Sequence, residues 1–228
     1  MVKNEADIIV ETLTHALTFC DNIYIFDNGS NDGTSELIDQ LCEKHDSVKL
    51  AFRSSCAYKN QLRNRVYNRY HHEFSNDDWW YILDADEMLS ENPRDELQKA
   101  TQNDEGKMRV WQAQFYFTER DFKYFERENN DMPYTYRRRY YRINWRELRF
   151  FRNFTDLSWS EDESGRVPSF CKKTASYTPV CRHYLERTPE QIQARVKLRK
   201  QCEHGFAHVK RQDFSLPSTW LKRSEELF

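Results

Sequence analysis

Glycine is scarce in this sequence. Five of its 228 residues are glycine, well below the average usage of about 7%. Neither the G-x-G-x-x-G pattern of dinucleotide-binding folds nor the G-x-x-x-x-G-K-S/T pattern of P-loop proteins occurs. Both patterns use glycine where the backbone approaches a phosphate group. The sequence therefore excludes a glycine-lined phosphate site in its usual form.

Long apolar runs, paired cysteines and an excess of one charge are also absent. No stretch approaches the roughly 18 consecutive apolar residues of a membrane-spanning helix, and the N-terminal residues lack the apolar stretch of a signal peptide. The six cysteines include no C-x-x-C pair, which favours reduced thiols and predicts a cytoplasmic location. The formal net charge of −2 gives no indication that nucleic acid is a partner.

Aromatic residues, by contrast, are abundant. The 6 Trp, 13 Tyr and 15 Phe residues make up 15% of the chain. The mean hydropathy of −0.98 alone would suit a disordered chain, but such chains contain few aromatic residues. The length suits a single folded domain.

Strand and helix patterns alternate through the first half of the chain. Apolar runs predict strands, and apolar residues at helical spacing predict helices. The predicted strands are 23–26, 48–52, 79–83 and 110–117, and the predicted helices are 5–20, 32–41, 58–73, 93–101 and 188–204, with 119–133 as a loop. The alternation predicts an α/β fold with a mostly parallel central sheet and helices on both faces. Ligands of such sheets lie beyond the carboxyl ends of the strands.

Asp84 and Asp86 follow the third predicted strand, with Glu87 beside them. Carboxylates this close repel one another unless a cation lies between them. Mg²⁺ and Mn²⁺ prefer such oxygen ligands and commonly bridge carboxylates to phosphate groups. The alternative is a structural turn in which Asp84 caps the following segment.

A second polar cluster follows the first predicted strand. It has the sequence Asp27-Asn28-Gly29-Ser30-Asn31-Asp32-Gly33-Thr34. One interpretation is an ordinary turn that leads into a capped helix. The other is a site in which the strand end binds a base or ribose and the helix start favours an anion.

The two clusters, together with Val2-Lys3-Asn4-Glu5, resemble the family 2 type of glycosyltransferase in order and spacing. The resemblance covers about the first 90 residues, and Arg149–Arg152 and Arg182–Tyr184 resemble some members more weakly. It implies the GT-A fold, a Rossmann-like three-layer sandwich, with a nucleotide-sugar donor and a D-x-D motif. It also implies one domain over 1–228: a nucleotide-binding half over 1–90, an acceptor half over 91–184 and a helical C-terminal extension over 185–228.

The resemblance also implies roles for individual residues in the nucleotide pocket. Asn4 and Glu5 would line the pocket, and Asp27 or Asn28 would bind the base. Gln61 and Arg65 would face the nucleotide from the helix that precedes the third strand.

A metal and the diphosphate would lie at the D-x-D motif. Asp84 would contact the ribose, Ala85 would line the same pocket, and Asp86 would bind Mn²⁺ or Mg²⁺ beneath the diphosphate. His183 would be a further metal or diphosphate contact, so that the implied metal ligands are Asp86, Asp84 and His183.

Transfer to a hydroxyl acceptor also needs a general base, normally a carboxylate. The resemblance implies inversion, which means a single displacement and one base. The candidates by order along the chain are Glu161, Asp162 and Glu163, of which one would act. The alternative is that they form a solvated acidic loop.

Arginine and aromatic residues interleave over 136–152. This segment could bind the diphosphate or an anionic acceptor, or it could bind nucleic acid by stacking. The structural alternative is a set of strands with their arginines on one exposed face.

The sequence therefore favours a metal-dependent, inverting hexosyltransferase. The expected donor is a nucleotide sugar, with UDP as the favoured nucleotide. The expected acceptor is a glycan or another hydroxyl compound, with no nucleic acid and no transmembrane segment. Further domains or partners of a glycan-assembly pathway could accompany it. The competing hypothesis is a non-catalytic module of the same fold that binds a nucleotide sugar or a glycan.

Overall fold

A computed structural model describes residues 1–56, 61–200 and 222–223. The helices are α1 Ile9–Ala16, α2 Thr34–Lys44, α3 Leu62–Tyr70, α4 Arg94–Gln102, α5 Glu119–Tyr124, α6 Tyr134–Arg137 and α7 Pro189–Lys200. The strands are β1 Ile23–Asp27, β2 Val48–Arg53, β3 Trp79–Tyr81, β4 Glu87–Leu89, β5 Lys107–Tyr116, β6 Tyr140–Arg152, β7 Val180–His183 and β8 Lys222–Arg223. None of the helices in these ranges has both the length and the apolar character that a membrane crossing requires.

The chain divides into two compact units, each formed from two stretches. The first unit comprises Met1–Trp111 and Trp145–Cys181, and the second comprises Gln112–Asn144 and Arg182–Phe228. The boundaries fall inside β5 and β6 and within β7. The predicted division into a nucleotide-binding half and an acceptor half concerns function and stays a prediction.

The described residues form two sheets. Strands β1 and β2 form a parallel pair in which Ile23 lies opposite Val48, and α2 connects them. The second sheet has the strand order β3-β6-β5-β7-β4, with β8 beside β6. Strand β6 runs antiparallel to β3 and to β8, and the sheet as a whole is mostly antiparallel.

The prediction of a mostly parallel central sheet is therefore wrong. The strand–helix alternation on which it rested holds for β1, α2 and β2, and these two strands are indeed parallel. Further along the chain α3 and α4 also lie between strands, but in the described ranges β2 does not pair with β3 and β4 does not pair with β5. Only a tight turn separates β3 from β4, and β6 returns antiparallel beside β3. Antiparallel neighbours need no helical crossover.

Described residues of the first unit form a larger and a smaller apolar cluster. The larger packs α1, α2 and β1 together through side chains such as Ile9, Ile38 and Ile25, all of them buried. The smaller is aromatic and is centred on Tyr67 of α3, whose ring contacts Trp80, Phe151 and Trp159. This second cluster holds α3 against the sheet, which fixes the polar side chains on the same helix.

The second unit contains a helix that the sequence analysis missed. Residues 119–133 were predicted to form a loop, but α5 lies there. Thr118 and Asp121 form a reciprocal capping box at its start, an arrangement that stabilises a helix N-terminus. Lys222 and Arg223 form β8, so the prediction of a helical extension over 185–228 is wrong at these two residues; residues 201–221 and 224–228 lie outside the described residues.

Candidate functional site

The N-terminal segment lies against the polar turn that follows β1. Val2 N donates to Phe26 O at 2.9 Å, and Asn28 N donates to Val2 O at 2.9 Å. Asn4 N then donates to Ser30 Oγ at 3.1 Å. The N-terminal segment Val2–Asn4 and the polar turn after β1 are therefore in direct contact.

The side chains of the N-terminal motif and of the turn complete this contact. Asn4 Oδ1 accepts from Asn31 N at 2.9 Å, and Glu5 N donates to Thr34 Oγ1 at 2.9 Å. Asn4 has a φ of 56°, in the left-handed region that asparagine tolerates better than most residues. Asn4 is exposed at the turn, and its predicted place beside a ligand stays a prediction.

Asp27 has a fully buried carboxylate. It accepts from Ser30 N at 3.0 Å and from Ser35 Oγ at 2.5 Å, and Arg53 Nε lies 3.4 Å away. Burial alone would raise the pKa of Asp27, but the hydrogen bonds from Ser35 and Ser30 and the charge of Arg53 together lower it. The carboxylate therefore stabilises the turn from within.

Gly29 and Gly33 allow this turn to form. Gly29 has a φ of +76°, and a Cβ there would lie 2.7 Å from Ser55 Cβ. Gly33 precedes α2 with a φ of +97°. The adjacent Asn28 is also buried, and its Oδ1 accepts from Cys56 Sγ at 3.4 Å. Neither side chain predicted to bind the base is exposed in this conformation.

The motif Asp84-Ala85-Asp86-Glu87 forms the tight connection between β3 and β4. Glu87 N donates to Asp84 O at 3.1 Å, and Thr12 of α1 donates from Oγ1 to Ala85 O at 2.7 Å. Asp86 and Glu87 are buried, whereas the Asp84 side chain is 32% exposed. The turn thus presents Asp84 to solvent and encloses the other two carboxylates.

Three arginines surround the Asp84 carboxylate. Arg149 Nη2 lies 2.8 Å from Oδ2, Arg166 Nη2 lies 3.0 Å from Oδ2, and Arg63 Nη2 lies 3.7 Å from Oδ1. Burial alone would raise the pKa of Asp84, but the charges of Arg149, Arg166 and Arg63 hold it well below its usual range. Asp84 is therefore ionised whenever the protein is folded near neutral pH.

Two further carboxylates join this cluster. Arg149 pairs with Glu87 and, at 3.1 Å, with Glu147. Arg166 Nη1 pairs with Glu147 Oε1 at 2.6 Å. Although burial lowers the pKa of Arg149, the nearby carboxylates Asp84, Glu87 and Glu147 raise it well above its ordinary value. In this network each arginine lies beside carboxylates that offset its charge, and one of these carboxylates, Asp84, is partly exposed.

The loop that carries the candidate bases is bound at both ends. On one side, Asn64 Nδ2 donates to Ser160 O, and Asn68 exchanges hydrogen bonds of 2.8 and 2.9 Å with the Trp159 backbone. On the other side, Arg166 binds Asp84. The loop is thereby held beside the turn that contains Asp84 and Asp86.

The three candidate bases differ in their contacts. Glu163 accepts from Ser169 N at 2.7 Å and from Ser169 Oγ at 3.0 Å. Glu161 and Asp162 are exposed, and no side chain or backbone group in the described ranges donates to their carboxylates. Glu161 and Asp162 are thus the more accessible candidates.

The remaining predicted residues lie apart from these contacts. Gln61 is half-buried at the start of α3, and Arg65 is exposed on the same helix. The buried Arg63, two residues earlier, contacts Asp84 instead. His183 is half-buried in β7 and belongs to the second unit. The roles predicted for Gln61, Arg65 and His183 stay predictions.

Sequence reasoning missed four residues that build this site. They are Arg63, Asn64, Glu147 and Arg166. A signal existed for the first two: α3 is very polar, yet it carries Arg63, Asn64 and Tyr67 on one buried face, at the i and i+3 or i+4 spacing that places residues on the same side of a helix. Glu147 and Arg166 follow no such pattern.

The residues at the turn can be compared with what a metal ion requires. Across residues 1–56, 61–200 and 222–223, no group of three or more His, Cys, Asp or Glu side chains could hold one. A divalent ion bound through one or two carboxylates and phosphate oxygens needs no such group. Asp86 is buried and Asp84 is paired with arginines, and metal binding by these two residues stays a prediction.

The arginines of 136–152 do not form one exposed face. Arg149 is buried among the carboxylates described above, and Arg152 pairs with Asp77 at 2.9 Å and with Asp104 at 3.3 Å. Within the second unit, the buried Arg138 pairs with Glu128 at 2.5 Å. The expectation of a solvated arginine face is wrong at these positions, because each guanidinium compensates a carboxylate.

Comparison with known proteins identifies a family for the chain. A family model described as glycosyl transferase family 2 matches residues 1–157, which is more than half of the 228 residues. The match contains the N-terminal motif, both polar turns and Arg149. A comparison with curated proteins gives no match.

Proposed function

The chain belongs to glycosyl transferase family 2, and on that basis we propose that it moves a sugar from a nucleotide-sugar donor to a hydroxyl group of a glycan or a similar acceptor, with inversion. One observation carries the proposal beyond the family. Arg166 joins the D-x-D turn to the loop that holds Glu161 and Asp162. This contact supports the proposal that the leaving diphosphate and the general base would lie on connected segments of the first unit.

The proposed donor pocket begins at the turn after β1. The exposed Asn4 and Asn31 offer polar atoms there, and Ser30 and Glu5 are partly exposed beside them. We expect the nucleoside, uridine in a UDP-linked donor, to bind along this edge and toward the start of α3 near Gln61 and Arg65.

Asp86 is the proposed ligand of a divalent ion, Mn²⁺ or Mg²⁺, which offsets charge on the leaving diphosphate when it is bound. Asp84 is the second carboxylate at this place and faces the ribose. Arg63 and Arg166 add positive charge beside it. Fixed cations directed at a developing negative charge stabilise a transition state most effectively where water is excluded.

One carboxylate of Glu161, Asp162 and Glu163 is the proposed general base. It takes the proton of the acceptor hydroxyl while the hydroxyl oxygen attacks the anomeric carbon and the bond to the diphosphate breaks. Glu161 and Asp162 are the stronger candidates, because Ser169 already occupies both oxygens of Glu163.

The test is release of nucleoside diphosphate from a panel of nucleotide sugars, with Mn²⁺ and a mixture of acceptors. We expect turnover with one donor, loss of turnover in Asp86→Asn, and no change in the exposed control Asp46→Asn. Among Glu161→Gln, Asp162→Asn and Glu163→Gln, one variant should lose about 100-fold or more in kcat with little change in donor affinity. Full activity of Asp86→Asn in excess chelator would refute the metal role.

A non-catalytic module that binds a nucleotide sugar or glycan is the second candidate. The engagement of Asp84 by three arginines favours it, because a carboxylate so compensated is a weaker metal ligand. Donor binding by calorimetry without any release of nucleoside diphosphate would support this candidate. The hexosyl nature of the sugar, the cytoplasmic location and further partners stay predictions.

A further inference from the structure

Helix α3 carries polar side chains on the face that it packs against the rest of the first unit. Asn64, Tyr67 and Asn68 lie on this face at the i, i+3 and i+4 spacing that places residues on one side of a helix. Asn64 and Tyr67 are buried, and Asn68 is half-buried. Because a buried polar group without a hydrogen bond is costly, such a face fits a surface that offers polar partners.

The partners of the two asparagines are main-chain groups directly before the candidate bases. Asn68 Oδ1 accepts from Trp159 N at 2.8 Å, and Asn68 Nδ2 donates to Trp159 O at 2.9 Å. One residue later, Asn64 Nδ2 donates to Ser160 O. A side-chain amide can donate and accept at once, so Asn68 fixes the backbone of Trp159 from both of its main-chain groups. The backbone that leads into Glu161 is therefore set by α3.

The chain before Trp159 follows the same helix. The hydroxyl of Tyr67 lies 3.0 Å from Phe154 O and 3.2 Å from Leu157 O. Nδ1 of His71, just beyond the end of α3, lies 3.1 Å from Phe154 O. The rings of Tyr67 and Trp159 also pack edge to face. These contacts hold the segment against α3 along much of the length of the helix.

Arg63 connects the same helix to the turn after β3. It is buried beside Asn64 in the sequence, and its Nη2 lies 3.7 Å from Asp84 Oδ1. Adjacent residues of one hydrogen-bonded helical turn therefore contact the turn where the diphosphate is proposed to bind and the loop that carries the proposed base. The separation of these two places depends on α3.

We propose that Asn68, supported by Asn64, is a positioning residue that fixes the general base relative to the leaving diphosphate. This role rests on the proposed function, since it requires a base among the carboxylates of residues 161–163. Asn68 acts through the backbone of Trp159. A displacement of about 1 Å at a reacting group can cost roughly 100-fold in rate, and loss of both hydrogen bonds would let Trp159 and the residues after it turn.

The first measurement compares kcat and KM for the donor that turns over in the nucleotide-sugar panel. Asn68→Ala should lower kcat by about 10- to 100-fold and change the donor KM by less than about twofold. Arg69→Ala is the matched control: Arg69 lies on the same helix and donates to a main-chain oxygen at 3.1 Å, but that oxygen belongs to Ala51 of β2. Both constants of the control should stay within about twofold of the parent.

A double variant separates positioning from a general loss of stability. Asn68→Ala is added to whichever of Glu161→Gln, Asp162→Asn or Glu163→Gln has removed the base. A residue that acts through the base should then lower kcat by less than about twofold, because the two effects are not additive. A merely structural residue would lower kcat by the same factor in both backgrounds. Asn68→Asp, which keeps the acceptor for Trp159 N, takes the place of Asn68→Ala if that variant does not fold.

A third measurement needs no donor. Hydrogen exchange at the Trp159 amide should be at least about tenfold faster in Asn68→Ala than in the parent, and equal exchange would overturn the positioning role. An unchanged kcat of Asn68→Ala, or an equal loss in the double variant, would overturn that role and leave the proposed function intact. Turnover by the parent is measured first: its absence would overturn the positioning role together with the proposed function, and full activity of all three base variants would overturn it together with the proposed base.

Discussion

The two polar turns of the first unit neutralise a carboxylate in different ways. At the turn after β1, Asp27 is satisfied mainly by hydroxyl and amide donors within eight residues of it, and Arg53 is more distant. At the turn after β3, Asp84 is satisfied by guanidinium groups from α3, β6 and the 159–170 loop. The first turn is local and largely neutral, and the second is long-range and ionic.

This difference bears on how each turn can serve a ligand. A carboxylate held by its own turn is part of the scaffold, and a nucleoside would meet the exposed groups around it. A carboxylate held by arginines can exchange partners, because an incoming diphosphate offers those arginines an alternative anion. The contacts of the turn after β3 would therefore change more on binding a diphosphate than those of the turn after β1.

The largest expected effect comes from removing a charge at the ionic turn. Arg149→Met should destabilise the protein by about 3–5 kcal/mol, since it removes the buried guanidinium that pairs with the buried carboxylate of Glu87. Urea denaturation followed by circular dichroism measures this. The exposed Arg142→Met on the same strand is the control and should change stability by about 0.5 kcal/mol or less. Equal effects of the two substitutions would mean that the network is not a source of stability.

The stability of the turn after β1, the largely neutral one, should depend more on its backbone conformation than on charge. Gly29→Ala should cost about 2–3 kcal/mol, because a left-handed residue is strained and the new Cβ would meet Ser55. Gly33→Ala is the matched comparison: its φ is also positive, but the nearest atom to a new Cβ is 4.0 Å away, so only about 1 kcal/mol of strain is expected. Thermal unfolding of both variants measures these two losses of stability. A larger loss of stability for Gly33→Ala than for Gly29→Ala would contradict the close approach to Ser55.

A smaller effect should follow from deleting one neutral donor. Ser35→Ala removes the hydroxyl that donates to Asp27 at 2.5 Å and should cost about 1 kcal/mol. The comparison predicts that Asp39→Ala, which removes an exposed partner of Arg53, costs less than about 0.5 kcal/mol. Chemical denaturation of the two variants separates an internal hydrogen bond from a surface ion pair.

The smallest expected effect is the acid dependence of the neutral turn. The pKa of Asp27 is lower in the folded protein than its ordinary value of 3.8. Its contribution to stability is therefore complete above that value and is lost as the pH falls through the folded pKa. Asp27→Asn should lose less stability than the parent between neutral pH and a pH below 3.8. If the stability of both proteins fell equally with falling pH, the lowered pKa of Asp27 would be contradicted.

The contrast between the turns also shows what a sequence can predict. The glycines, the asparagines and the aspartates of the first turn lie within eight consecutive residues, so their pattern predicts a turn and its place after a strand. Strands β1 and β2 were predicted for the same reason, since each is a short apolar run. The helix α5 could have been predicted from Thr118 and Asp121, whose spacing fits a capping box.

The ionic turn could be predicted only in part. The sequence indicates that Asp84 and Asp86 need cations, but the choice between a metal and arginines depends on the fold. Arg63 reaches Asp84 because of the phase of α3, which no single-residue pattern fixes and which directs Arg65 to solvent instead. The prediction that the larger sheet is mostly parallel was wrong for a similar reason, because strand order depends on contacts between distant segments.

The tethers of the loop after β6 have a consequence for how relatives of this protein could diverge. Asn64 and Asn68 hold Trp159 and Ser160, and Arg166 holds the far end at Asp84. Residues 161–165 span the interval between these anchors, and doubling the length of a flexible loop costs only about 0.6 kcal/mol. Insertions or deletions in this interval would therefore leave both anchors in place. We expect insertions among relatives to lie after Glu163 in this interval, where they would leave both anchors and the three candidate bases in place.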